Sequence, residues 1–425
     1  MKLKYLLAAS VISLSATTAM VAAPAAAQQI TSGVEGRVVS SDGMELAGAV
    51  VTVTDTRTNT SRTLQTGADG SFRVGSLVTG GPYTITAEAP GFEGQSVEEQ
   101  FLTVSGNLSF DFELTPADAS GATMNTIVVT ASRAGVSQLA VGPGTAFGQQ
   151  TLESFPSITR DVRDIIRLDP RVSLERSNDV DRISCLGGND RANTFTVDGI
   201  VQSDVFGLNG TPFASRNSLP LPFDVIRETS VEFAPFDVEY SDFTGCLVNV
   251  VTKSGENEFH GSAFYTYFDG GMQADTVELA DGTTRDFNAG REERWGVTLG
   301  GPIIPDRLFF YAGYEETDLG DGFNSGPFGS GAADEEDFVT QAQFDRFAQI
   351  ARDVYGQDIG GIPTQLAQKD VRYFGRLDAY ITDDHRLEAT YQRLEETNIE
   401  EDNGSNNFSG LNSFEDEGTM SDYYS

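Results

Sequence analysis

At 425 residues the chain has room for two or three domains, and its formal net charge of −35 argues against nucleic acid, whose phosphates demand a basic face. The two histidines, His260 and His385, leave no His-based zinc site or catalytic triad, so no metal, no cofactor and no enzyme activity are expected. Beyond the N-terminus nothing approaches the roughly 20 continuous apolar residues of a spanning helix, so any membrane insertion must use β-structure.

Residues 1–27 read as a secretory signal peptide. Lys2 and Lys4 supply the basic start, residues 6–21 the apolar core, and Ala25, Ala26 and Ala27 the small-residue cleavage site before Gln28. Export places Cys185 and Cys246 where disulfides persist. Pairing them would close a loop of about 60 residues, worth roughly 4 kcal/mol by chain entropy; two free thiols are the alternative.

Residues 28–115 read as a small β-sandwich. Strand-like runs at 34–39, 49–54, 71–74, 83–87 and 108–114 are separated by turn formers such as Asp69-Gly70 and Pro90-Gly91. The wording TGADGSF from Thr66, followed by Tyr83-Thr84-Ile85, resembles the carboxypeptidase-regulatory-like, Ig-like module. That resemblance implies a structural or interaction role rather than chemistry.

Residues 116–148 are a linker rich in Ala, Gly, Ser, Thr and Pro. Embedded in it is a β-branched island of Thr126, Ile127, Val128, Val129, Thr130, Ala131 and Ser132. One reading is a last edge strand of the preceding sandwich. The other is a segment for strand addition, where main-chain hydrogen bonds to a partner's sheet edge supply affinity. The island resembles a TonB box.

Residues 149–255 form the next domain, opening with a short amphipathic helix over 158–168 that carries Val162, Ile165 and Ile166 on one side and stops at Asp169-Pro170. Strands at 193–197, 226–233 and 247–252 follow. The wordings FTVDG from Phe195 and VNVVTKSG from Val248 resemble the plug domain of TonB-dependent outer-membrane receptors, closest to the Oar-like branch. Where relatives show a second glycine after Gly245, this chain has Cys246, read as the partner of Cys185.

Residues 256–425 alternate strictly. Trp295, Val297 and Leu299 share one face of a strand; Tyr373, Leu377 and Ile381 oppose Arg372, Arg376 and Asp378 on another. Apolar-out, polar-in alternation is the outer-membrane barrel signature. Five strands are expected, at 261–268, 294–300, 308–315, 371–382 and 386–392, joined by alternating long and short connections. The third and fourth are separated by a loop of about 55 residues carrying a helix with Phe344, Phe347, Ala348, Ala351 and Val354 on one stripe. Acidic clusters at 315–321, 334–337, 395–402 and 415–417 are expected in loops between strands. Five strands are too few to enclose a plug, so the chain reads as the N-terminal part of a receptor, ending in an acidic loop.

The expected fold class is mainly β: an Ig-like sandwich, an α+β plug domain, and the first strands of an incomplete transmembrane barrel. The resemblance implies a TonB-dependent transporter in the Gram-negative outer membrane. Its partners would be TonB with its inner-membrane energising complex, outer-membrane lipid and an unknown extracellular substrate. A surface adhesion or scaffold protein that transports nothing is the competing reading.

Overall fold

The computed structural model describes residues 31–104, 106–117, 127–128, 134–137, 144–155, 157, 159–176, 181–204, 211, 213, 215–216, 219–233, 244–274, 276–278, 282, 284–286, 290–382, 385–401 and 407–425. The expected signal peptide, residues 1–27, lies outside them.

The first module contains β1 (Thr31–Ser40), β2 (Val50–Asp55), β3 (Thr60–Gln65), β4 (Ser71–Val78), β5 (Gly80–Glu88), β6 (Gln95–Leu102) and β7 (Asn107–Leu114). One sheet runs β4-β1-β7 and the other β3-β2-β5-β6. Alternate residues from both sheets, among them Val38, Val53, Ile85, Phe110 and Phe112, meet in one buried core. The sequence reading misses β3 and β6. Both are strongly polar and leave most residues partly or fully exposed, so neither has the alternation that marks a half-buried strand.

Past β7 the chain touches both sheets again. β8 (Ile127–Val128) pairs in parallel with β6, and β9 (Ala134–Ser137) pairs antiparallel with β7. Ile127 and Val128 therefore take up the edge-strand position. Thr126, Val129, Thr130 and Ala131 lie outside the described residues.

The middle, plug-like module holds β10 (Gly144–Phe147), β11 (Val172–Glu175), β12 (Arg182–Cys185), β13 (Thr194–Val197), β14 (Ile200–Val201), β15 (Ile226–Phe233) and β16 (Cys246–Thr252). Its sheet runs β10-β15-β16-β13-β14, with β11 and β12 as a separate hairpin. β16 is buried at every residue, as a near-continuous apolar run in a central strand should be. The helix expected over 158–168 is one turn, Arg163–Ile166. Arg160 before it adopts a left-handed φ of 55°, which α-helix cannot continue through. Nor is the turn amphipathic: Arg163 and Asp164 are as buried as Ile165, and Asp161 and Asp181 compensate Arg163.

The last part comprises β17 (His260–Asp269), the hairpin β18 (Thr276–Glu278) and β19 (Thr284–Asp286), β20 (Arg291–Ile304), β21 (Leu308–Gly322), β22 (Ser325–Phe328), β23 (Asp334–Thr340), β24 (Gln365–Leu366), β25 (Gln368–Thr382), β26 (His385–Glu400), β27 (Glu415–Asp416) and β28 (Met420–Tyr424). β17, β20, β21, β25 and β26 pair antiparallel in that order, and β28 continues the sheet beside β26. A sixth strand thus stands where an acidic loop was expected. The acidic clusters also begin in strands: Glu315 to Asp321 lie in β21, Asp334 in β23, Glu395 in β26 and Glu415 in β27. Cross-strand cations make this tolerable, as where Lys369 Nζ lies 2.6 Å from Glu316 and Arg291 3.7 Å from Asp318. The loop helix is Gln341–Tyr355, capped by Thr340 and Gln343. Phe344 and Ala351 face inward, whereas Phe347 and Val354 are exposed, contrary to the single stripe expected.

Candidate functional site

The two faces of the long-stranded sheet have opposite chemistry. Outward face Tyr265, Trp295, Val297, Leu299, Tyr373 and Leu377, all exposed. Trp295 and Tyr314 rings lie 4.9 Å apart, and Tyr314 meets Tyr373 edge-on at 5.1 Å. Ile303 and Ile304 are exposed at the far end of the same strand. From Trp295 to Ile304 the chain rises roughly 30 Å, which at a tilt of about 40° spans ~23 Å, matching the apolar band of an outer-membrane barrel. A row of aromatic rings bounds that band, and charged residues begin beyond it.

The inward face presents Arg294, Glu315, Arg372, Arg376 and Asp378, all buried. Burial of so many charges is tolerable only with partners, and the plug-like module supplies part of them. Arg376 donates to Thr252 Oγ1 at 2.8 Å and lies 3.4 Å from Asp198 Oδ2. Its other nitrogens reach Asp378 at 2.9 Å and Glu388 at 2.8 Å. Asp198 in turn accepts from the Thr252 backbone N–H at 2.9 Å and its hydroxyl at 2.6 Å.

A second tie centres on Glu315. It accepts from Arg372 at 3.2 Å and from the backbone N–H of Phe223 at 3.0 Å, with Arg160 at 3.6 Å. Arg160 also pairs with Asp224 at 2.7 Å and stacks over Phe264, 3.4 Å from its ring centre. A third lies near the far end of β26, where Glu396 accepts from the Arg216 backbone and Gln392 Oε1 accepts from Gln202 at 2.9 Å. The module is therefore tied to the wall by directional polar contacts, beside an apolar contact in which Tyr311 and Phe374 of the sheet join the module's own core.

Inside the plug-like module Cys185 and Cys246 are joined by a disulfide, with Cα atoms 6.0 Å apart. Asn193 Oδ1 accepts from the Cys246 backbone N–H at 3.0 Å. A side chain on Gly245 would collide with that oxygen and with the Ala192 carbonyl 2.9 Å away, so glycine is required by close approach.

The Ig-like module docks beneath. Asn59 donates to Asp306 at 3.0 Å, in the tight turn between β20 and β21, and Asn257 bonds both Asp306 and the Arg57 carbonyl. Glu228 of β15 accepts from the Val104 backbone N–H at 3.1 Å. Burial pushes its carboxyl up to about 7, against the opposing pull of that hydrogen bond and Arg227.

Of the residues singled out from the sequence, the structure brings Cys185 and Cys246 together and sets Ile127 and Val128 apart from them, on the sandwich edge. Sequence reasoning missed the network of Asp198, Thr252 and Arg376 and the separate tie at Glu315. The available signal was charge at inward positions of β21 and β25, which a solvent-filled lumen would also allow.

Residues 33–115 match the carboxypeptidase regulatory-like domain family, and residues 251–325 match the outer membrane beta barrel domain family. The chain is 25% identical over 357 residues to the TonB-dependent transporter Oar of Myxococcus xanthus, covering 80% of this chain and 31% of that protein. It is 27% identical over 249 residues to the "Probable TonB-dependent siderophore receptor PirA" of Acinetobacter baumannii, covering 54% of this chain and 30% of that one. Among solved structures, the ferric enterobactin receptor PfeA of Pseudomonas aeruginosa aligns with a TM-score of 0.41 at 20% identity, covering 60% of this chain and 33% of that one. The chain spans about a third of the length of the curated relatives it matches. It is homologous to the TonB-dependent transporter Oar, carries a carboxypeptidase regulatory-like domain and outer-membrane barrel sequence, and its location is the Gram-negative outer membrane.

Proposed function

We propose that this chain works as part of a TonB-dependent outer-membrane transporter of the Oar type, taking up an extracellular substrate. The observation that carries the reading is the split chemistry of the barrel sheet: an aromatic-bounded apolar face outside, and inside a charged face seated on a plug-like module by exchangeable polar ties. A plug that must shift under a pull is better held by such contacts than by a large apolar interface, because partial hydration lowers the cost of each intermediate position.

In this proposal the Ig-like module faces the periplasm, beside the tight turn at Asp306, and the long connections face outward. Thr126 to Ala131 act as the TonB box, and Cys185–Cys246 holds the plug's own fold together while the box is pulled. The test is deletion of residues 126–132 in the complete receptor. Energised uptake should be lost while surface binding and outer-membrane abundance are retained. Unchanged uptake would sink the TonB-box assignment, whereas no uptake by the intact receptor would favour an adhesion or scaffold role.

A further inference from the structure

Arg227 of β15 is 4% exposed, yet its Nε and Nη1 have no hydrogen-bond partner among the described residues. A buried guanidinium left in this state is costly, since its desolvation is uncompensated. Its surroundings sharpen the problem. Burial and the nearby Arg57 and Arg376 push its pKa down to about 10, against the pull of Asp198 and Glu228. Arg57 and Arg227 crowd together over Gly80: a carbon added there would lie 2.9 Å from Arg57 Nη1 and 3.2 Å from Arg227 Cδ.

Arg227 lines a cavity of ≈ 350 Å³ where three parts of the chain meet. Arg57 enters from the Ig-like module, Arg227 and Lys253 from the plug-like module, and Ser262, Thr298 and Tyr311 from the inner face of the barrel sheet. The carboxylates present are set outward. Glu153 is 59% and Glu256 31% exposed, against 21% for Lys253 and 10% for Arg57. They lie only loosely against the cations, at 3.9 Å from Lys253 and 3.8 Å from Arg57. Only Arg57 has a close carboxylate of its own, Asp55 at 2.8 Å. The deep wall is thus cationic and the rim acidic.

We propose that this cavity binds a phosphate-type oxyanion, held by Arg227 and Lys253 and closed on one side by Arg57. The planar fork of an arginine matches two oxygens of such a group, and an ammonium beside it adds a point charge. All three parts of the chain contribute to the wall, so the bound anion strengthens the docking of the Ig-like module onto the plug-like module. The cavity lies on the inner side of the sheet, away from the lipid-facing rings, so the anion arrives from solution.

The test is titration of the purified full-length protein in detergent micelles with inorganic phosphate, at an ionic strength held constant by chloride. Phosphorus NMR line widths and thermal unfolding are the readouts. The expected result is a saturable response that R227M weakens at least tenfold. Without phosphate, R227M should melt no lower than the native protein, because it removes an uncompensated charge. If R227M fails to fold, K253Q, at a partly exposed position, should weaken binding several-fold. Glycerol 3-phosphate is the second arm: an equal response assigns the site to free and esterified phosphate alike, and no response assigns it to the free ion. A response that chloride reproduces, that does not saturate, or that survives both variants would overturn the proposal.

Discussion

Arg376 on the barrel sheet and Asp198 in the plug-like module lie 3.4 Å apart, and both also bind Thr252, the last residue of β16. The end of the central strand of the plug-like module is thereby fixed to the wall just before the chain enters β17.

The two partners should not be equivalent. R376M strands Asp198 and Asp378 without their close cation, while Glu388 keeps Arg386 at 2.6 Å, and should cost ~3–5 kcal/mol, the usual penalty for breaking a buried pair. D198N leaves Arg376 two other carboxylates and should cost only ~1–2 kcal/mol. Denaturant unfolding in micelles, closed as a double-mutant cycle, measures both; equal costs would contradict the network described.

The proposed box would bind by strand addition, which depends on main-chain groups, so the effects of its backbone and side chains can be separated. V128P removes an amide donor and should reduce energised uptake at least tenfold with normal surface abundance, whereas V128T should have little effect. Equal loss in both variants would point to side-chain recognition instead.

Reduction of Cys185–Cys246, which spans 61 residues, should lower the stability of the plug-like module by ~4 kcal/mol. Denaturant curves with and without reductant read this directly, together with a mobility change on non-reducing gels.

Glu228 gives a pH dependence of definite sign. Its carboxyl is raised to about 7 in the folded chain, so between the ordinary range near 4.5 and about 7 the folded state holds more protons than the unfolded state. Its contribution to stability is therefore fully present below that ordinary range and is lost as pH rises toward and past 7. In E228Q the amide still accepts from Val104, and melting temperature should lose this component of its slope between pH 5 and 8. A slope unchanged from the native protein would refute the assignment.

Trp295 is the single tryptophan of the chain and faces outward in the aromatic row. Its emission should be quenched by brominated lipid after reconstitution. On the same strand, L299R should destabilise by ~2–4 kcal/mol in bilayers, the cost of a cation on the lipid face near the midplane. Trp295 emission indifferent to brominated lipid would place that face elsewhere.

Much of this architecture is legible in the residues themselves. Period-2 alternation from Gly261 onward identifies which face of each strand is apolar, and the buried pattern follows it from Arg294 to Gly300 in β20 and from Asp370 to Asp378 in β25. The wording around Asp69-Gly70 and Val248 to Gly255 identifies the first module and the seam. Local sequence is less informative where packing overrides it. β3 and β6 are polar because their neighbours, not their own composition, complete the sheet. The turn Arg163–Ile166 is buried on every side because its charges meet partners from other segments.

By itself, then, the sequence determined what each strand offers to lipid and to the interior, since alternation is a property of consecutive residues. Only the tertiary structure decided what the inward charges are for. Asp198 and Arg376, or Phe223 and Glu315, become partners because two separately patterned surfaces are brought face to face. The same meeting leaves Arg227 Nε and Nη1 enclosed without an acceptor among the described residues. Such pairings depend on distances between segments far apart in the chain, and no local pattern encodes them.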